Sequence, residues 1–261
     1  MRFCSLGSGS GGNATVVEAS QGITQTRLLI DCGFSLRELE RRLSLRGLSG
    51  ADLDGIFVTH EHGDHVGCAL ALAGKYRIPL WASAGTWRAI GKEGFEPQLL
   101  KLCRDGQVIG FGDLRLQPFA VPHDAEEPLQ LRCDDGHHSL GIITDAGSIS
   151  ARMTEALQGC HALLLECNHD EEMLRRSAYP ASLKKRILGS HGHLSNHSAA
   201  DLLARCLHAG LHTVVAAHLS EKNNLPELAL AALQQCLGDY SPEILIAQQA
   251  GGIDWLAVDR H

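Results

Sequence analysis

The chain has 261 residues, 44% hydrophobic and 20% charged, with a formal net charge of −7. This balance excludes wholesale disorder, and the acidic excess argues against a generic nucleic-acid coat while leaving room for a local basic groove. No apolar run reaches the ~18 residues of a membrane helix, no signal-peptide core precedes the first glycines, and nine Cys without a CxxC pair read as the reduced thiols of a cytoplasmic protein.

No repeat, low-complexity tract or linker interrupts residues 1–261, so the chain reads as one domain. Residues 2–6, 14–19 and 27–31 have strand composition. Ser35 and Glu38 form a capping-box pattern, after which Leu36, Leu39 and Leu43 follow at helical spacing until Gly47. Residues 55–58 form a compact apolar strand that runs into a His-rich loop, and 66–76 predicts a helix. Strands are expected at 107–109, 114–121, 129–133 and 139–144. The second half then alternates: helix 150–157, strand 162–166, helix 195–208, strand 213–217, helix 226–236, then strands 244–247 and 253–258. Sheets flanked by helices in both halves imply an α/β, four-layer αββα sandwich.

Gly7, Gly9 and Gly12 satisfy G-x-G-x-x-G after a strand, with Asp31 about 20 residues on, as a dinucleotide fingerprint requires. The following segment, Asn13 to Gly22, is short and β-branched, which predicts a hairpin and no nucleotide cofactor. The amides of such a turn can still meet a substrate phosphate.

The fifteen His exceed the six Lys more than twofold and outnumber Phe, Tyr and Trp combined. Their densest run is Thr59-His60-Glu61-His62-Gly63-Asp64-His65, at the C-terminal end of an apolar strand. His60 and His62 are two apart, so an extended backbone puts them on one side, while Asp64 and His65 can point toward a second ion. Imidazole and carboxylate donors suit zinc, iron or manganese.

This H-x-H-x-D-H run resembles the signature of the metallo-β-lactamase superfamily. The resemblance implies the αββα fold and two divalent metal ions, with further ligands placed after later strands. His123 in Val-Pro-His-Asp-Ala, Asp145 in Ile-Ile-Thr-Asp-Ala-Gly and His218 in Ala-Ala-His-Leu-Ser fill those slots. By that similarity His60, His62 and His123 hold one ion, Asp64, His65 and His218 the other, and Asp145 bridges them. Asp31, in Leu-Leu-Ile-Asp-Cys-Gly, matches the family's structural Asp near the metal loop. Two ions about 3.5–4 Å apart can share a hydroxide near neutral pH, held and oriented by Asp64.

The segments Leu6 to Asn13, Leu165 to Asp170, His191 to Asn196 and His218 to Asn224 look like the YycJ/WalJ-type exonuclease branch. The resemblance implies a 5′→3′ exonuclease with DNA preferred over RNA as the nucleic-acid substrate. The 73-residue interval from Asp145 to His218 is too short for a large inserted β-CASP domain. His193, before an expected helix start at Ser195 or Asn196, is a candidate catalytic and substrate-binding residue. Asn168, His169, Ser195 and Asn196 are further candidate substrate contacts. Lys184, Lys185 and Arg186 are candidate phosphate contacts, whereas Arg37, Arg41, Arg42 and Arg46 read as a solvated helix face. A glyoxalase-II-like thioesterase or a lactonase is the enzyme alternative. A binding module with structural metal is the alternative of another class, disfavoured because closed structural zinc sites take four ligands. The sequence carries no signal for oligomeric state.

Overall fold

The computed structural model describes residues 1–91 and 94–258. Six strands occupy its first half: β1 (Arg2–Gly7), β2 (Ala14–Gln21), β3 (Thr24–Ile30), β4 (Gly55–Phe57), β5 (Leu80–Ser83) and β6 (Leu100–Cys103). Seven follow: β7 (Ile109–Phe111), β8 (Leu114–Ala120), β9 (Leu129–Asp134), β10 (Ser139–Ile143), β11 (Ala162–Glu166), β12 (Thr213–Ala217) and β13 (Glu243–Ile246). The first six and the next seven form separate sheets, each in chain order, and β14 (Ile253–Ala257) returns to pair antiparallel with β1. The helices are α1 (Leu36–Ser44), α2 (Gly63–Val66), α3 (Ala69–Tyr76), α4 (Ala84–Ile90), α5 (Ala151–Leu157), α6 (Glu171–Arg176), α7 (Ala181–Ile187), α8 (Asn196–Cys206) and α9 (Pro226–Gln235).

The two-residue alternation of strand side chains builds three cores from two sheets. Phe3, Val17, Leu28 and Phe57 of the first sheet meet Leu116, Leu131, Ile142, Leu164 and Val215 of the second. On its other face the first sheet offers Cys4, Val16, Leu29 and Ile56 to Leu39 and Leu43 of α1 and Leu72 of α3. The second sheet turns Leu163, Leu165 and Val214 toward Met153 of α5, Leu202 and Leu203 of α8 and Leu233 of α9. The order is helix, sheet, sheet, helix, as expected.

Strand direction then places the loops. β3, β4, β5 and β6 run parallel, and β8, β10, β11 and β12 share one direction across the second sheet. Residues at the carboxyl ends of both sets therefore reach a common rim. The glycine-rich stretch is the turn of the antiparallel β1–β2 hairpin. Gly9 and Gly12 take φ of 146° and 140°, conformations that favour glycine.

Several expectations shift. The helix predicted over 66–76 is two helices, because the chain turns at Gly67 (φ 29°), where a Cβ would lie 2.3 Å from the Cys32 carbonyl oxygen. The strand predicted at 107–109 begins only at Ile109, since Gln107 N–H closes a turn onto the Arg104 carbonyl. Helix α8 ends at Cys206, two residues short of the expected His208. Arg42 and Arg46 do not simply face solvent. Arg42 donates to the carbonyls of Leu6 and Gln249, and Arg46 to that of Gly251.

Three registered strands carry a charge triplet. Glu18 on β2 stands opposite Arg2 on β1 and Arg27 on β3, and accepts from both guanidinium groups, from Arg27 at 2.7 Å. Burial alone pushes the Glu18 carboxyl up, but the two Arg groups outweigh it and leave it below its ordinary value. A depressed folded-state value means the stabilisation is full above the unfolded carboxylate range and is lost as pH falls through the folded value. Replacing Glu18 with Gln is expected to cost about 1.5–3 kcal/mol at pH 7. In thermal melts, that gap between wild type and E18Q should close as the pH is lowered below ~4.

Candidate metal centre

The metal-binding loop leaves β4 at Val58 and is gripped from the exit of β3. Asp31 sits in the left-handed region at φ 60°, and its carboxylate accepts from Thr59 N at 2.9 Å, Thr59 Oγ1 and His65 Nδ1 at 2.7 Å. Asn13 N–H donates to the Asp64 carbonyl at 2.8 Å, and Cys32 N–H to the His65 carbonyl at 2.7 Å. Gly33 packs so closely there that a Cβ would lie 1.8 Å from the Asp64 carbonyl oxygen.

These ties aim the side chains at a common point. His60 Nε2 and His123 Nε2 lie 3.0 and 3.3 Å from His62 Nδ1, so these three donors converge. Beside them, Asp64 Oδ2 is 3.6 Å from both His65 Nε2 and His218 Nε2. Asp145 stands between the two sets: Oδ2 is 3.0 Å from His65 Nε2, and Oδ1 is 3.8 Å from His123 Nε2. The seven side chains predicted as ligands are thus gathered at the rim where the two sheets meet.

The polar bookkeeping suits a cation. His123 Nδ1 donates to the Gly192 carbonyl at 2.9 Å and His218 Nδ1 to the Thr144 carbonyl at 2.6 Å, leaving each Nε2 facing inward. Asp145 Oδ2 is buried and, although His65 Nε2 is near, accepts no hydrogen bond of good geometry. Burial holds His60 well below its ordinary value and lowers His123 to about 4, so both are neutral and present lone pairs. Burial raises the Asp145 carboxyl, but the neighbouring His218 and His65 outweigh it and keep Asp145 ionised. Burial also opposes charge on His65, yet Asp145 and Asp31 raise that imidazole to about 10. A divalent ion held by His65 would take the place of that proton. Imidazole and carboxylate donors in this number suit divalent metal ions.

The profile of the beta-lactamase superfamily domain matches residues 26–218. Exodeoxyribonuclease YycJ of Bacillus anthracis is 38% identical over 241 residues, covering 91% of this chain and 89% of that protein. Exodeoxyribonuclease WalJ of Streptococcus pneumoniae is 35% identical over 232 residues, covering 87% and 85%. The chain belongs to the metallo-β-lactamase superfamily, in its YycJ/WalJ branch. The crystal structure of the metallo-beta-lactamase fold protein YhfI from Bacillus subtilis superposes with a TM-score of 0.73 at 15% identity, over 98% of this chain and 99% of that one, and shows the shared fold. As a superfamily member of this branch, the protein is a metal-dependent hydrolase.

The remaining predicted residues divide. His193 lines the metal cavity, with Nδ1 2.7 Å from Glu166 Oε1. Asn168 also lines the cavity and donates to the His218 carbonyl at 3.1 Å. Ser195 does not face it: its Oγ caps α8 by accepting from Ser198 N–H and donates to Glu171. Asn196 is buried in a reciprocal amide pair with Asn224 at 2.8 Å. His169 is buried with neither ring nitrogen hydrogen-bonded, and burial lowers it to about 4.

Sequence reasoning missed Glu166, which closes the otherwise apolar strand β11 and is wholly buried. Its Oε2 accepts from Ala146 N–H at 2.8 Å and Leu194 N–H at 3.3 Å while Oε1 faces His193. An acidic residue ending a run of buried Leu was the available signal.

Asn tolerates the left-handed backbone that Asp31 adopts, so Asp31→Asn removes the carboxylate without straining the turn. We expect metal affinity to fall about 10–100-fold with the circular dichroism spectrum unchanged, read by competition against a chelator. Unaltered affinity would show that Asp31 does not orient His65.

Proposed function

We propose that this metal-dependent hydrolase is a dinuclear DNA exonuclease that works 5′→3′, and that residues 1–261 act as one catalytic domain. The reading rests chiefly on one observation: Arg186, steadied by an ion pair with Asp124, lines the metal cavity, of about 420 Å³, and also the neighbouring groove with Lys185, Ser190 and His191. A chain of net charge −7 therefore lays cations beside its metal-binding floor, which suits a polyanion running from groove to cavity. The exodeoxyribonuclease names of the relatives at 35–38% identity support DNA over RNA. No helix among the described residues is long and apolar enough to cross a membrane. Nine cysteines, all free, accord with a cytoplasmic setting.

His60, His62 and His123 would hold one ion, Asp64, His65 and His218 the other, with Asp145 between them. Zinc, manganese and iron all match this donor set. Bound there, the ions supply Lewis acidity toward the phosphate and lower the pKa of water. The chain's own groups do the rest. Asp64 faces the cavity and is placed to orient the attacking water and accept its proton at a carboxylate oxygen. His193 is held through Nδ1 by Glu166, which leaves Nε2 to donate to the phosphate or to the departing oxygen. Asn168 and Ser10 line the same cavity and offer polar contacts to the substrate.

Asp64→Ala is expected to lower kcat by about 10²–10⁴-fold in metal-replete protein, with the fold retained. Single-stranded and duplex DNA and RNA, labelled at either end, should give mononucleotide release from the 5′ end of DNA, with near two metal ions per chain by elemental analysis. Rapid thioester turnover without phosphodiester cleavage would overturn the nuclease reading, and full turnover by D64A would overturn the assigned centre.

A further inference from the structure

The metal cavity has two chemically different parts. Its floor is His62, Asp64, Asp145, His193 and His218, whereas one wall is Tyr179, Leu183 and Ile187. An apolar wall with an aromatic ring is unnecessary for gripping a phosphate, which the floor and its ions satisfy. It matches the other part of a nucleotide.

We propose that Tyr179 is the platform on which the base of the strand's terminal nucleotide stacks while the adjoining phosphate rests on the floor. The inference rests on the phosphodiester reading above and assigns the base, which that reading leaves unplaced. Three features support it. Leu183 and Ile187 stand one turn apart on α7, giving an aliphatic surface beside the ring that accepts any base without reading its edge. Arg186, paired with Asp124, lines the same cavity, and Lys222 Nζ lies over the Tyr179 ring at 5.7 Å from its centroid, so the ring stands among cations that suit a phosphate-bearing ligand. Its contact with the ring apart, Lys222 makes no ion pair among the described residues.

The platform is also held in place before any substrate arrives. Tyr179 precedes Pro180, which confines it to extended backbone. Tyr179 N–H donates to Ser177 Oγ at 3.3 Å, and Ser177 Oγ in turn donates to the Leu174 carbonyl at the end of α6. Lys184 Nζ reaches the Arg175 carbonyl at 2.7 Å and ties α7 to α6. With the backbone held in this way, only the side-chain torsions of Tyr179 are left to order on stacking, which lowers the entropic cost of the contact.

The experiment uses the full metal-loaded chain, as wild type, Y179F and Y179A, on single-stranded oligonucleotides whose terminal nucleotide carries a base or is abasic, at either end. Stacking predicts that Y179A lowers kcat/KM about 5- to 150-fold on the base-bearing end, chiefly through KM, and that Y179F retains activity. On the abasic end, wild type and Y179A should be equal, a coupling that general loosening of the wall would not produce. Equal losses for Y179A on both ends, or no loss on either, would overturn the inference while the nuclease reading stands. Failure of the wild type to cleave DNA at all would overturn both.

Discussion

A single buried carboxylate sets the geometry of the metal loop. Asp31 takes a left-handed backbone at the end of β3 and spends its two oxygens on Thr59 and His65. The backbone of the loop it holds is fixed by the amides of Cys32, at the exit of β3, and of Asn13, in the β1–β2 turn. The close approach of Gly33 to the Asp64 carbonyl shows how little slack remains. Ligand atoms held this tightly need little reorganisation when an ion arrives.

The second sheet solves the same problem with carbonyl groups. His123 and His218 each commit Nδ1 to a main-chain oxygen, of Gly192 and Thr144, and turn Nε2 inward. His193 commits Nδ1 to Glu166, so it is oriented in the same manner and lines the same cavity. Each sheet therefore supplies pre-aimed nitrogens, and Asp145 joins the two sets. The chemistry depends on the sheets keeping their separation, which Phe3, Phe57, Leu131 and Leu164 fix from within the sandwich.

Local order made the metal loop legible: four donors within six residues after an apolar strand need no tertiary information. His123, Asp145 and His218 gain meaning only as an ordered series at strand ends, which the resemblance to the superfamily supplied. The β-branched segment after Gly12 likewise distinguished a hairpin from a crossover. Ser195 and Asn196 were harder, because helix capping and anion binding use the same residue types at the same place. The structure spends Ser195 on its own helix and Asn196 on Asn224. Glu166 was hidden because an acid closing a strand resembles an ordinary exposed end, and only the folded sheet shows it buried. Tyr179 carries no periodic signal, since its place beside the cavity comes from the packing of two short helices. The break at Gly67 depends on the nearness of Cys32, some 35 residues earlier in the chain.

The pairing of β14 with β1 has a bearing on how the protein is made. Strand β1 is made about 250 residues before β14, and one of its hydrogen-bonding edges stays open until residues 253–257 emerge. Over that interval the nascent first sheet presents an unsatisfied strand edge able to recruit a neighbouring chain. Closing the first sheet is thus a long-range event that waits for a strand lying beyond the whole second sheet.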